Sequence, residues 1–336
     1  MYISGITDGD LPRLTNQGGY DAFVAKYNSQ GARQWTRQFG STANEADVRV
    51  SADILGNVYV SGTTYGNLQG LRAGFQDAFL SKYDSAGTHQ WTKQFGSSAS
   101  EWGFDLSADG LGNVYVTGRT DELFEGMANL WDTFLIKFDS AGTQQWRRQF
   151  GSQDMDTSVG VSADGLGNVY IAGTTFGNLG GQNAGSLDSF VIKYDDAGNL
   201  KWTRQIGTVD NDSCFGVSAD GLGNVYSVIN GNLVGTNAGG SDAYITKFDS
   251  DGSLVSVLQM GTSTTDIGRG VSADKLGSVY LTGYTAGDLA GPNAGIFDAF
   301  LAKHFDQAVP EPHVGMLALA AAGALSEGRR RRRFSA

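Results

Sequence analysis

The chain has 336 residues, 40% of them hydrophobic and 18% charged, with 49 Gly, 4 Pro and a single Cys. Abundant glycine without matching proline excludes collagen-like and proline-rich architectures, and one cysteine, Cys214, excludes an internal disulfide framework. The net charge is −11, and an acidic body argues against nucleic-acid binding, which needs a basic face.

The first apolar run, YISGIT at residues 2–7, reads as a strand lying directly against Met1, so the reading expects further chain upstream. Next come DAFVAKY from Asp21, a tight turn at NSQG, and QWTRQFG from Gln34. After a short gap follow VSAD from Val50, a turn ending in Gly-Asn, and VYVSGTT from Val58. The same order then recurs along the chain. DAF or a close variant begins at Asp21, Asp77, Asp132, Asp188, Asp242 and Asp298, at intervals of 54 to 56 residues. The decapeptide VSADGLGNVY at 161–170 is repeated unchanged at 217–226, with near copies at 50–59, 106–115 and 271–280. A period of this length marks a repeat architecture.

Each phrase is rich in β-branched and aromatic residues and is bounded by Asn, Asp, Ser and Gly, the signature of a short strand between tight turns. One period therefore supplies four strands, VSAD, NVYVSG, AFVAKY and QWTRQF, with VSAD innermost. Apolar residues on both strand faces require sheets covered on both sides. Four-stranded sheets repeated and stacked in this way are the blades of a β-propeller. The fold class is thus all-β, a propeller of about six four-stranded blades over residues 1–305. The NVYVSG and DAF phrases occur six times but VSAD and QWTRQFG only five, so the first and last blades are each expected to lack a strand. Trp35, Trp91, Trp146 and Trp202 recur and are expected to fill the spaces between blades; Ser256 stands at that place in the fifth unit, which should pack less well. The phrases DAFxxKY, WTRQFG and GNVYVxG resemble the SBBP family of β-propeller repeats, with NHL-type propellers as the nearest alternative. That resemblance implies a fold and no single chemistry.

Strand parity puts the tight turns on one face of the disc and the long, variable connections on the other, where ligands are expected. The most distinctive of these connections lies within residues 101–131. There Trp102, Arg119, Glu122, Glu125 and Trp131 replace the Gly, Asn and Ser of sister units and form the candidate ligand loops, suited to stacking on a sugar. No cofactor is assigned. The recurring Asp of DAF is a candidate calcium ligand, although an Asp there more often accepts loop N–H groups. The recurring lysines, among them Lys26 and Lys82, are expected to pair with the Asp of VSAD, such as Asp53 and Asp109. No catalytic residue is assigned: the three His do not recur, Cys214 lacks a neighbouring base, and a Glu122–Glu125 acid–base pair is the remaining enzymatic reading.

Residues 306–336 differ in kind. Val309, Pro310, Glu311 and Pro312 are followed by an apolar stretch, expected to form a short hydrophobic helix, and by Arg329, Arg330, Arg331, Arg332 and Arg333. From Val309 onward, five Arg against two Glu make the tail +3 and leave −14 for the rest. The arrangement resembles the PEP-CTERM sorting signal. It implies export, tethering to the inner membrane with the arginines inside, and release to the cell surface or matrix by an exosortase-type processing enzyme. The apolar stretch at 314–325 is short of the roughly 20 residues that span a bilayer. The expected role is a non-catalytic scaffold or interaction module whose partners are extracellular polysaccharide or surface proteins. A glycan-binding propeller is the alternative, and a polysaccharide-acting enzyme a third reading.

Overall fold

A computed structural model describes residues 1–122, 131–233 and 238–305, together with the backbone of 318–320. These residues form 23 strands in six antiparallel sheets, with no helix among them. The first sheet has three strands, β1 (Tyr2–Thr7), β2 (Asp21–Tyr27) and β3 (Arg33–Phe39). The second holds β4 (Glu45–Ala52), β5 (Val58–Thr64), β6 (Asp77–Tyr83) and β7 (His89–Phe95) in chain order, each strand bonded to the next. The third repeats that order with β8 (Glu101–Ala108), β9 (Val114–Thr120), β10 (Asp132–Phe138) and β11 (Gln144–Phe150). The fourth holds β12 (Asp156–Ala163), β13 (Asn168–Thr175), β14 (Asp188–Asp195) and β15 (Leu200–Ile206). The fifth holds β16 (Ser213–Ala219), β17 (Val225–Gly231), β18 (Asp242–Phe248) and β19 (Leu254–Met260). The sixth comprises β20 (Asp266–Ala273), β21 (Ser278–Thr285), β22 (Asp298–Phe305) and β23 (Ala318–Ala320).

Two features depart from the sequence reading. The VSAD strand is eight residues long in most sheets, because half of the preceding connection also pairs: Glu45 lies opposite Thr64 and Glu101 opposite Thr120. A bulge near its middle, as between Gly103 and Asp105, lets the strand bend. The second departure concerns the C-terminus. Residues 318–320, expected within a hydrophobic helix, form a strand on the edge of β22, with Ala318 opposite Lys303 and Ala320 opposite Leu301. Pairing there satisfies backbone groups that a bare sheet edge would leave open. Val309–Pro312 and Arg329–Arg333 lie outside the described residues.

The core is a series of layers between successive sheets. Tyr59, Ala78 and Leu80 of the second sheet pack on Val116, Phe134 and Ile136 of the third, and the same layering recurs at the other junctions. Every residue of β5, β6 and β10 is buried, as strands covered on both faces must be. Burying each large side chain, such as Tyr59 or Phe134, contributes about 2–3 kcal/mol.

The repeated polar residues stitch the layers together. On the innermost strands Ser51 Oγ accepts the Ala108 N–H at 3.1 Å, Ser107 that of Ala163 at 3.0 Å, and Ser162 that of Ala219 at 3.0 Å. At the rim, Lys82 Nζ and Trp91 Nε1 both donate to the Ser140 carbonyl in the next sheet's hairpin turn, at 2.8 and 3.3 Å. Lys26 with Trp35, and Lys193 with Trp202, do the same to Ser85 and Ser250. These three lysines therefore bridge sheets rather than pairing with the Asp of VSAD. Those carboxylates close their own turns instead: Asp53 Oδ1 accepts the N–H groups of Leu55 and Asn57 at 3.0 and 2.8 Å. Gly142, at φ 77°, lies in such a hairpin with Trp91 beneath it; a Cβ there would sit 3.1 Å from the indole, so the turn and the ring need a glycine.

Candidate functional site

Of the five candidate ligand residues, the structure brings three together. Trp102 in β8 lies directly opposite Arg119 in β9, and Trp131 immediately precedes β10. Two of these residues expected in loops are thus strand residues, held at the loop-rich end of the third sheet. The Arg119 guanidinium carbon is 3.9 Å from the centre of the Trp102 ring, 4.0 Å from that of Trp131 and 5.8 Å from that of Phe104. Cation–π attraction holds such a stack, and a planar guanidinium fits between two indoles where an ammonium does not.

Arg119 Nε is buried without a hydrogen-bond partner, as is Asp121 Oδ1. Burial lowers the Arg119 pKa, while Asp121 and Asp47 oppose that effect. Burial likewise raises the Asp121 pKa, with Arg119 opposing it. Among the described residues Arg119 forms no ion pair. Its guanidinium is thus held between aromatic rings without a paired carboxylate among the described residues, while the facing sides of both indoles are already occupied. Glu122 stands apart from the stack, paired with Arg147 at 3.0 Å, and Glu125 lies outside the described residues.

The stack is built on a position that the repeat leaves free. At the register place of Arg119 the sister sheets carry Thr63, Thr174, Asn230 and Tyr284, and opposite them stand Ala46, Thr157, Ser213 and Ile267. A smaller grouping recurs in the sixth sheet, where Arg269 lies 4.9 Å from the Phe215 ring and 5.4 Å from Tyr284.

Sequence reasoning missed two recurring features. On the tight-turn face, Leu55, Leu111, Leu166, Leu222 and Leu276 are each at least 60% exposed, one per VSAD turn. At the opposite end, the innermost strands of the second to sixth sheets begin with or directly follow a buried acid, Glu45, Glu101, Asp156, Asp212 or Asp266, beside the Asp of DAF. Their own periodicity was the signal. The DAF aspartates take the loop-closing role: Asp77 accepts from Ala73 N–H at 2.9 Å, Gly74 N–H at 3.2 Å and Gln94 Nε2 at 2.9 Å. No group of three His, Cys, Asp or Glu placed to hold a metal ion occurs among the described residues. Cys214 is buried, and burial pushes its thiol up to about 12, away from any thiolate chemistry.

Six stacked antiparallel sheets, with matching strands innermost in the second to sixth, define a repeat protein of the β-propeller class. The chain belongs to the β-propeller repeat family, SBBP, which matches residues 34–69, 90–125, 145–180, 201–228 and 257–290, together half of the sequence. It is similar to the regulatory protein FlaEY of Caulobacter vibrioides, 24% identical over 85% of this chain and 36% of the relative. It is also 25% identical to an uncharacterized WD repeat-containing protein, L264, of Acanthamoeba polyphaga mimivirus, over 41% of this chain and 12% of that protein. The chain thus spans little more than a third of the longer-matching relative. Among solved structures, an acylaminoacyl peptidase of Pyrococcus horikoshii aligns with 96% of this chain and 44% of its own, at a TM-score of 0.52 and 11% identity. The β-propeller domain of the Trilobed protease from Pyrococcus furiosus covers 89% of both chains at a TM-score of 0.43 and 9% identity. These likenesses concern the fold.

Proposed function

We propose that this chain is an exported, non-catalytic interaction module that meets its partner at the loop-rich end of the third sheet. The observation that carries this reading is the Trp102–Arg119–Trp131 stack, an unrepeated feature on a repeated scaffold. The repeated serines, lysines, tryptophans and aspartates described above hold sheets or turns together; the stack has no such task that its sisters share. The name of the Caulobacter relative, a regulatory protein, accords with an interaction role. Export rests on the resemblance of the tail to a PEP-CTERM signal, which would deliver the module to the surface or extracellular matrix through an exosortase-type enzyme.

The character of the stack favours the glycan-binding reading over a purely protein-facing scaffold. Guanidinium edges flanked by aromatic rings suit a carboxylate-bearing sugar, because paired N–H donors match a carboxylate while the indole rims cover apolar sugar faces. The test is a glycan array probed with the full chain and with Arg119→Ala. Binding to uronate-containing polysaccharides that falls at least tenfold in Arg119→Ala is the expected outcome. Equal binding by both proteins, or none by either, overturns the glycan reading.

A further inference from the structure

The two end sheets carry the same docking residues as the interior sheets, but nothing covers them. At an interior junction one sheet offers Tyr, Ala and Leu to the next, as Tyr59, Ala78 and Leu80 do to Val116 and Phe134. All five of those residues are 1% exposed or less. The sixth sheet carries the same set, Tyr280, Ala299 and Leu301, at the same register places. There Leu301 is 44% exposed, Ala299 is exposed and Tyr280 is half-buried. On the first sheet, Ile3 and Phe23 stand where Val116 and Phe134 stand in the third. Ile3 is 43% exposed and Phe23 half-buried. Among the described residues the first and sixth sheets do not pack on one another.

The polar clasp is open at both ends as well. A Cβ on Gly87, Gly142, Gly198 or Gly252 would lie between 2.7 and 3.1 Å from an indole of the preceding sheet, whereas one on Gly31, in the matching turn of the first sheet, would meet nothing within 4 Å. In those four sisters the turn carbonyl of Ser85, Ser140, Asp196 or Ser250 accepts the preceding sheet's lysine. Ser29, their counterpart, accepts no hydrogen bond among the described residues. Lys303, the clasp lysine of the sixth sheet, has no acceptor among them either; its Nζ lies 5.1 Å from the Tyr280 ring centre and 4.3 Å from that of Phe305.

A repeat array stays solitary when its terminal units present polar outer faces. Here both outer faces are apolar, and each has the form of the face that covers the other's sisters. We propose that the sixth sheet of one copy packs on the first sheet of a second copy, head to tail. Leu301 and Tyr280 meet Ile3 and Phe23, and the Lys303 ammonium meets the carbonyls of the turn at 28–31. A second copy fits because this is the interface that the chain already makes between its own neighbouring sheets. The joint is heterologous, so it can run on from copy to copy. It is narrower than an interior junction, because the first sheet lacks an inner strand and the sixth brings no Trp among the described residues. Association is therefore concentration-dependent.

Light scattering of the full chain during size-exclusion chromatography, over a hundredfold range of concentration, tests this. The mass should climb from one chain to two or more. Ile3→Asp blocks one face and Leu301→Asp the other, so each variant alone should stay at one chain. Mixed in equal amounts they should form a dimer and nothing larger, because one intact face of each kind remains. Far-ultraviolet spectra report whether the variants are folded, and the milder Ile3→Ser and Leu301→Ser should each lower the dimer fraction severalfold. A wild-type chain that stays single at every concentration, as when its own two ends close on each other, overturns the proposal. So does a dimer that persists in either Asp variant, or a mixture of folded variants that stays single.

Discussion

Arg119 and Asp105 illustrate what single residues contribute at this repeat's junctions. Arg119 converts a position that is Thr, Asn or Tyr elsewhere into the centre of an aromatic stack. Asp105 is wedged between the third and fourth sheets, where it accepts the Val161 N–H at 2.9 Å. Burial pushes its carboxyl up to about 6 from the ordinary 3.8, with that hydrogen bond and Arg49 opposing. The folded chain thus holds this proton more tightly than the unfolded chain. Its contribution to stability is complete below about pH 4 and is lost as pH rises through about 6. Asp105→Asn, which keeps an acceptor for Val161, should flatten this dependence. The expected difference in urea unfolding between pH 4 and pH 7 is about 1–2 kcal/mol smaller in the variant, less than the full shift because the side chain is only partly buried. Identical pH profiles would show that Asp105 does not titrate in this window.

At the scale of elements, the outer hairpin of each sheet is gripped by the sheet before it. Trp202 is 8% exposed, lies under the Gly252 turn and donates to the Ser250 carbonyl at 3.1 Å. Trp202→Ala removes both the ring and that bond, and should cost about 3–5 kcal/mol of unfolding free energy. Ser107→Ala, which deletes one inner-strand bond to Ala163 while leaving the packing intact, should cost about 1 kcal/mol. Chemical denaturation of both variants checks the ranking; equal losses would mean that the rim clasp and the inner ring share the load evenly. Much of this was legible in the repeats. Strand positions, tight turns and the place of the tryptophans follow from local alternation and from Gly, Asp and Asn at the turns. The lysine partners were misread because an Asp recurring at the same period looks like a counter-ion. In three dimensions that Asp is turned inward to its own loop, and the nearer acceptor is a carbonyl in the next sheet.

At the scale of the whole molecule, the proposed export depends on the tail, most of which lies outside the described residues. If the sorting reading holds, protein taken from its native cells should end near Val309–Pro312, and its intact mass should be lower by the residues beyond. A chain still ending at Ala336 and found in the cytosol overturns that reading. The described part of the tail already has a place in the fold, since residues 318–320 complete the sixth sheet. Cleavage near Pro312 would free that edge.

The sequence by itself determined the class of protein: strand identity, turn type and repeat period depend on residues within about ten positions of one another, and a 54–56-residue period admits few folds other than stacked sheets. Only the tertiary structure decided which side chains meet. Arg119 finds Trp102 and Trp131, and Lys82 finds the Ser140 carbonyl, across separations set by register and by the stacking of one sheet on the next. Spacing along the chain reveals that an acid recurs. Which donors it meets, as when Ser41 and Thr64 both reach Glu45, depends on the strand beside it, and those contacts exist only once the sheets have assembled.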